Sequence, residues 1–153
     1  ARVFGLDRNR LELEQAARLF GQTNPVFLAA DIPRIPFRPR SVDVIVLASV
    51  IQYFSDLPAL LHDLKPLLKC SGEIHLLDSP LYRPEELPRA RLRTRSYYRS
   101  LGFPEMADFY FHHSIAALQG FAPRWLYDPD RLTTRLARRF GQAAPFSPWV
   151  RLR

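Results

Sequence analysis

Two apolar runs, residues 26–30 and 42–51, flank a polar stretch that carries Pro33 and Pro36. The second run, VDVIVLASVI, is rich in Val and Ile and shows no polar alternation after Asp43. That pattern predicts a strand buried on both faces of a parallel sheet. DIPRIPF between the runs predicts a turn, because its prolines remove backbone donors and fix φ. Asp31 closes the first run. Its carboxylate is therefore expected at the carboxyl end of a strand, the edge where open α/β sheets bind ligands.

The remaining pattern extends this alternation. Residues 3–6 read as a short strand ending at Asp7. Residues 9–20 read as a helix capped by Asn9, with an apolar face of Leu13, Ala16, Ala17 and Phe20, and ended by Gly21. Asp56 and Pro58 open a second helix. Its Leu57, Leu60, Leu61, Leu64, Leu67 and Leu68 repeat at helical spacing, with Pro66 as a late kink. Ser71-Gly72 predicts a turn into strand 73–78. Strand, helix, strand, strand, helix, strand is the order of a doubly wound α/β sheet. Beyond it, residues 85–101 read as a helix and 102–113 as an irregular aromatic segment. That segment suits either a lid over a pocket or simple packing of Phe103, Phe109 and Phe111 on the sheet edge. A helical turn at 114–119, a strand at 122–127, a basic helix at 130–140 and a strand at 147–152 complete the chain. The last two strands predict an antiparallel hairpin at one sheet edge.

Composition narrows the picture. A chain of 153 residues with 47% hydrophobic and 24% charged residues fits one domain with a real core. Its longest apolar runs are too short for a membrane helix, and no signal-peptide pattern opens it. The single Cys70 rules out an internal disulfide and a cysteine-rich zinc site, and fits a cytoplasmic setting. Residues 83–153 carry 13 Arg against 6 Asp+Glu, the whole of the net charge of +7. Such a face suits nucleic acid or an acidic substrate. The near-exclusive use of Arg over Lys favours codon bias over a binding face.

The strand-end acids sharpen the chemistry. An acid ending the second strand of a Rossmann-like sheet accepts from ribose hydroxyls, and one ending the next strand can accept from an adenine amino group. Asp7 and Asp31 stand in that relation. With VFGLDRN, AADIPRIPFRPRSVDVIVLASVIQYF and LLHDLKPLLKCSGEIHLLD, the chain resembles the class I S-adenosylmethionine-dependent methyltransferases that act on small molecules. The likeness is good over residues 2–82 and looser beyond. It implies a Rossmann-like, mostly parallel doubly wound sheet with a C-terminal antiparallel hairpin, and S-adenosylmethionine as cosubstrate without a metal. By position it assigns the ribose to Asp7, the adenine to Asp31 and Ile32, and the methionine part to Leu47, Ala48 and Ser49. Cys70-Ser71-Gly72 departs from the family's Pro-Gly-Gly turn. Residues 1–82 would form the cosubstrate-binding portion of a single, partial domain, and 83–153 its lid and edge strands.

Methyl transfer from a sulfonium needs alignment above all, and a base only where the acceptor must lose a proton. Tyr53, Tyr110, His112 and His113 are placed to serve. Tyr97, Tyr98, Phe109, Tyr110 and His113 are expected to border a small-molecule acceptor. Two other readings compete. One is a nicotinamide-dependent oxidoreductase, for which the Tyr-x-x-x-Lys pair is missing. The other is an Arg-rich nucleic-acid-binding or non-catalytic module; against base methylation, Ala48-Ser49-Val50-Ile51 stands where Asn/Asp-Pro-Pro-Tyr would be needed. Neither the acceptor atom nor the oligomeric state is written in the sequence. No Gly-x-Gly occurs, and only 6 residues precede Asp7. The family's first strand, glycine-rich loop and first helix are thus expected to be lacking. The same reading expects these residues to bind S-adenosylmethionine poorly or not at all. It also expects strands 3–6 and 42–48 either to be separated by a gap or to pair directly.

Overall fold

A computed structural model describes residues 1–140, 145 and 147–153. The chain forms two compact units, Ala1–Arg38 and Pro39–Arg153. In the first, β1 (Val3–Asp7), α1 (Arg10–Phe20) and β2 (Pro25–Ala29) make a strand–helix–strand unit with parallel strands, in register from Val3 opposite Pro25 to Asp7 opposite Ala29. Asn9 caps α1 as the sequence requires, accepting from the Leu11 amide at 3.1 Å. Gly21 does not stop the helix. It keeps a right-handed conformation, a 3-10 turn follows over Gly21–Thr23, and the left-handed stop is Asn24, at φ 75°. Gly5 lies so close under Phe27 that a Cβ would meet the ring at 2.7 Å.

The first unit has no fully buried residue among those described. Of the apolar face expected on α1, Leu13 and Ala16 are half-buried, whereas Phe20 is 54% exposed. One helix on two strands has too little surface to enclose a core.

The second unit contains β3 (Val42–Ala48), α2 (Leu57–Leu64), β4 (Leu68–Leu77), β5 (Leu81–Tyr82), α3 (Leu87–Ser100), β6 (His113–Ser114), β7 (Arg124–Tyr127), α4 (Leu132–Arg139) and β8 (Trp149–Leu152). Its main sheet has the order β3-β4-β8-β7, with β3 and β4 parallel and β8 antiparallel to both neighbours. The expected hairpin is therefore present, with β8 inserted between β4 and β7. β5 and β6 form a separate short parallel pair that the sequence pattern did not announce. β1 and β3 belong to different sheets.

Asp56 caps α2 through the Ala59 amide, at 2.9 Å. Leu57, Leu60, Leu61 and Leu64 are buried with Ile74, Leu76, Val150 and Leu152. Each such side chain contributes about 1.5–3 kcal/mol on leaving water. The helix is shorter than its leucine repeat suggests. Pro66 ends it through a 3-10 turn at Lys65–Leu67, and Leu68 already belongs to β4. Ser71-Gly72 likewise lies within β4. The register against β3 jumps from Leu68 to Glu73 while β3 advances from Val42 to Val44. Inside this bulge a Cβ on Gly72 would meet Leu68 Cβ at 2.9 Å and the Lys69 carbonyl at 3.0 Å.

β3 itself departs from expectation. Leu47 is buried, but Val44 and Val46 are 50% and 52% exposed. The strand is covered on one face only, and it is an edge strand of its sheet. An uninterrupted apolar run signals capacity for burial on both faces, not its occurrence.

Candidate strand-edge site and aromatic pocket

Asp7 is the last residue of β1, and Asp31 follows the end of β2 by two residues. Both therefore stand at the carboxyl edge of one parallel pair. The pairing continues past the strand as the Ala30 amide donates to the Asp7 carbonyl at 3.1 Å. Asp7 Oδ1 accepts from the Asn9 amide at 2.7 Å and so steadies the start of α1. Asp31 is half-buried and lies 3.8 Å from the Arg8 guanidinium. Ile32, also half-buried, starts the 3-10 turn that DIPRIPF builds.

In the second unit the parallel strands β3 and β4 end at two strained residues. Ser49 has φ 52° and Asp78 has φ 48°, values that non-glycine residues rarely adopt. Such strain persists where surrounding bonds over-determine it, and it clusters at functional sites. Here the Ser49 amide donates to the Leu77 carbonyl at 3.0 Å and its hydroxyl to the Asp78 carbonyl at 3.1 Å. Leu47 is buried beneath this edge, and Ala48 and Ser49 are exposed on it.

Gln52 lies just beyond and was missed from sequence. Its Nε2 donates to the Ser49 carbonyl at 2.7 Å, which fixes the amide orientation. Oε1 is buried and has no donor among the described residues. A buried acceptor without a partner is costly and marks a place where a ligand or water belongs. A lone polar residue within Val50-Ile51-Gln52-Tyr53-Phe54 is the signal that could have found it.

The segment after α3 is stitched to this loop. The Phe111 amide donates to the Gln52 carbonyl at 2.7 Å, and His113 Nε2 to the Ile51 carbonyl at 2.9 Å. Tyr110 is extended, so alternate side chains along this segment point to opposite sides. His113 turns inward, is 7% exposed and anchors the segment; it does not line the pocket. Tyr110 and His112 turn the other way, with ring centroids 5.2 Å apart. Tyr98 and Tyr53 each lie 6.4 Å from Tyr110, and Tyr97 lies 5.4 Å from Tyr98. Phe109, 64% exposed, stands outside this group.

Tyr110 and His112 line a pocket of about 280 Å³ with Ser55, Arg91, Arg95 and Asp108. Burial, then the neighbouring Tyr82, Tyr98 and Tyr53, raises the Tyr110 phenol, so it stays protonated and donates rather than acting as a base. Burial raises Tyr98 in the same sense. His112 is shifted the opposite way. Burial first, then Arg91, Arg93 and His113, lowers it from 6.5 and holds the imidazole neutral at pH 7. Its Nε2 lies 2.9 Å from Thr94 Oγ1. With Nε2–H donating there, Nδ1 is left as a lone-pair acceptor.

Among the described residues no cluster of three or more His, Cys, Asp or Glu is arranged to hold a metal ion. No described helix is long and apolar enough to cross a membrane.

Comparison with known proteins agrees with this geometry. A family model described as a methyltransferase domain matches residues 1–76. No curated protein matches the chain. Among solved structures, the YcgJ protein of Bacillus subtilis matches with a TM-score of 0.62 at 15% identity, over 99% of this chain and 80% of its own. A geranyl diphosphate methyltransferase in complex with SAM matches with a TM-score of 0.66 at 12% identity, over 99% and 67%. A Haloferax volcanii protein solved in complex with a methyltransferase activator matches with a TM-score of 0.63 at 16% identity, over 99% and 70%. These likenesses establish a Rossmann-like fold. The domain match over residues 1–76, which hold both strand-edge acids, adds to the fold a methyltransferase domain in this part of the chain.

Proposed function

We propose that this methyltransferase acts on a small-molecule acceptor. Tyr110 lines the pocket that holds it, with the rings of Tyr53 and Tyr98 packed beside Tyr110, and His112 takes its proton. S-adenosylmethionine, when bound, supplies a methyl group activated by a sulfonium centre. The residues fit that group in kind. Asp7 retains one carboxylate oxygen without a described partner for a ribose hydroxyl, and Asp31 offers an acceptor for the adenine amino group, with Ile32 packing beside it. In the second unit, Leu47, Ala48 and Ser49 are assigned to the methionine part, and the orphaned Gln52 Oε1 is an acceptor suited to its ammonium. The exposed Cys70 thiol suits a reducing, cytoplasmic setting.

The tyrosines supply broad, rigid apolar surface with polar tips, so a flat acceptor can be oriented without much loss of side-chain freedom. Orientation lowers the barrier by itself. Where the acceptor atom carries a proton, Nδ1 of neutral His112 accepts it as the new bond forms, and proton transfer of this kind contributes about 10²–10⁴-fold.

The carrying observation is the half-buried imidazole, held neutral beside a protonated Tyr110 in one pocket. His112→Gln should lower kcat by at least about tenfold and abolish the acid limb of the pH–rate profile, with KM for S-adenosylmethionine unchanged. An unchanged kcat would remove His112 from the chemistry. A rise in both KM values would point instead to a damaged fold.

A further inference from the structure

We infer that the acceptor bears an anionic group, a carboxylate or a phosphate, and that Arg91 and Arg95 grip it. This deepens the reading of the pocket given above and rests on it. Arg91 and Arg95 are one helical turn apart on α3, so their side chains leave the helix on the same face. Both line the pocket of Tyr110 and His112. Neither forms an ion pair with any described carboxylate. Asp108 lines the same pocket yet pairs with neither arginine. Two guanidinium groups therefore face a concave site with no donor spent on a described side chain.

The contrast with the rest of the unit supports the assignment. Arg151 and Arg153 are both committed to Glu73, at the far end of the chain. Guanidinium donors in a fixed fork match the two oxygens of a carboxylate or the three of a phosphate, and such charge-assisted pairs are the strong ones. The surrounding groups set the polarity of the ligand. The cations lie at the α3 side, and the neutral imidazole and the phenol occupy the same pocket. An acceptor with its acid at Arg91 and Arg95 would carry its reacting atom toward His112. A pocket of about 280 Å³ suits a single small acid and excludes a polymer from its interior. The pocket's cations also explain part of the low His112 value, since Arg91 is the first charge acting on it after burial. An anion bound there would relieve that repulsion.

Titration of the chain with sodium phosphate, and separately with sodium benzoate, tests this at constant ionic strength with chloride as the balancing salt. The readout is the imidazole resonances of His112 in a carbon–proton correlation spectrum, with the exposed His62 as internal control. The inference expects a saturable shift of His112 with at least one anion, no comparable shift of His62, and at least a tenfold weaker response in the Arg91→Gln/Arg95→Gln double variant. Response to phosphate alone assigns a phosphorylated acceptor, and response to benzoate alone a carboxylic acid. Absence of a saturable shift with both anions would overturn the inference, as would a shift that persists in the double variant or that His62 shares. Amide spectra of the variant verify that the fold is kept. The measurement uses no S-adenosylmethionine. If it fails while the cosubstrate still binds, the acceptor class is wrong and the methyltransferase reading stands.

Discussion

His112 shows how much one backbone alternation decides. Two adjacent histidines carry no information about which faces a ligand, and the sequence gives no reason to prefer one. The extended run through Tyr110 sends His112 toward the tyrosines and His113 onto the Ile51 carbonyl. His113, expected at the acceptor, is instead an anchor outside the pocket lining. Asp7 and Asp31 were legible because each ends an apolar run, and a strand end is a position that sequence can mark. Arg91 and Arg95 were hidden in a general excess of arginine. The environment of His112 also has a consequence for stability. The unfolded chain binds this proton below pH 6.5, whereas the fold, with its value lowered, resists it. Stability contributed by the neutral imidazole is therefore fully present above that pH and is lost as pH falls through the folded value. His112→Gln should flatten the dependence of Tm on pH just below 6.5. An identical slope in the two proteins would show that His112 is not held neutral.

At the scale of elements, capping and helical periodicity were legible and burial was not. Asn9 and Asp56 cap the helices as their positions demand, because the cap bond is local. The exposure of Val44 and Val46 depends on what lies over β3, which no local pattern encodes. Ser71-Gly72 has turn composition, yet it forms a bulge within β4. The structure instead uses Gly72 for close approach within the strand. Gly72→Ala should cost about 1–3 kcal/mol, since the Lys69 carbonyl that it meets is backbone and cannot rotate away. Calorimetric melting would reveal this as a lowered Tm, and an unchanged Tm would show that the bulge can relax. β4 and β8 are joined by a further device. The Trp149 indole N–H donates to His75 Nδ1 at 2.8 Å, which leaves Nε2–H to face Glu73 at 3.3 Å. Hydrogen bonding from Arg153 is the main cause holding the Glu73 carboxyl below 4.5; partial burial opposes it, and Arg151 adds to it. The stabilisation from ionised Glu73 is present above that pH and lost as pH falls through the lowered value. Glu73→Gln should therefore reduce stability at pH 7 and narrow the gap from the parent protein in acid. A gap independent of pH would assign the effect to packing alone.

The whole molecule combines units of different character. Every fully buried apolar residue among those described belongs to Pro39–Arg153, and none to Ala1–Arg38. Local stability follows the burial of apolar contacts. Amide hydrogen exchange should therefore be fastest, within the strands, in β1 and β2 and slowest in β4 and β8; equal protection would contradict the burial pattern. The α/β order and the C-terminal hairpin were legible because periodicity and turn residues are properties of short windows. Pairing between distant segments, such as the short parallel pair of β5 and β6, is not a property of short windows and was not legible. The proposed function requires that the Asp7–Asp31 strand edge receive the adenosine of S-adenosylmethionine. Saturation-transfer difference NMR tests it most directly, because it detects binding even at dissociation constants on the order of millimolar. The adenine and ribose protons should be saturated by the parent chain and lose that saturation in Asp7→Asn and Asp31→Asn, with the amide spectra of both variants otherwise preserved. No saturation by the parent chain, or equal saturation by all three proteins, would contradict it.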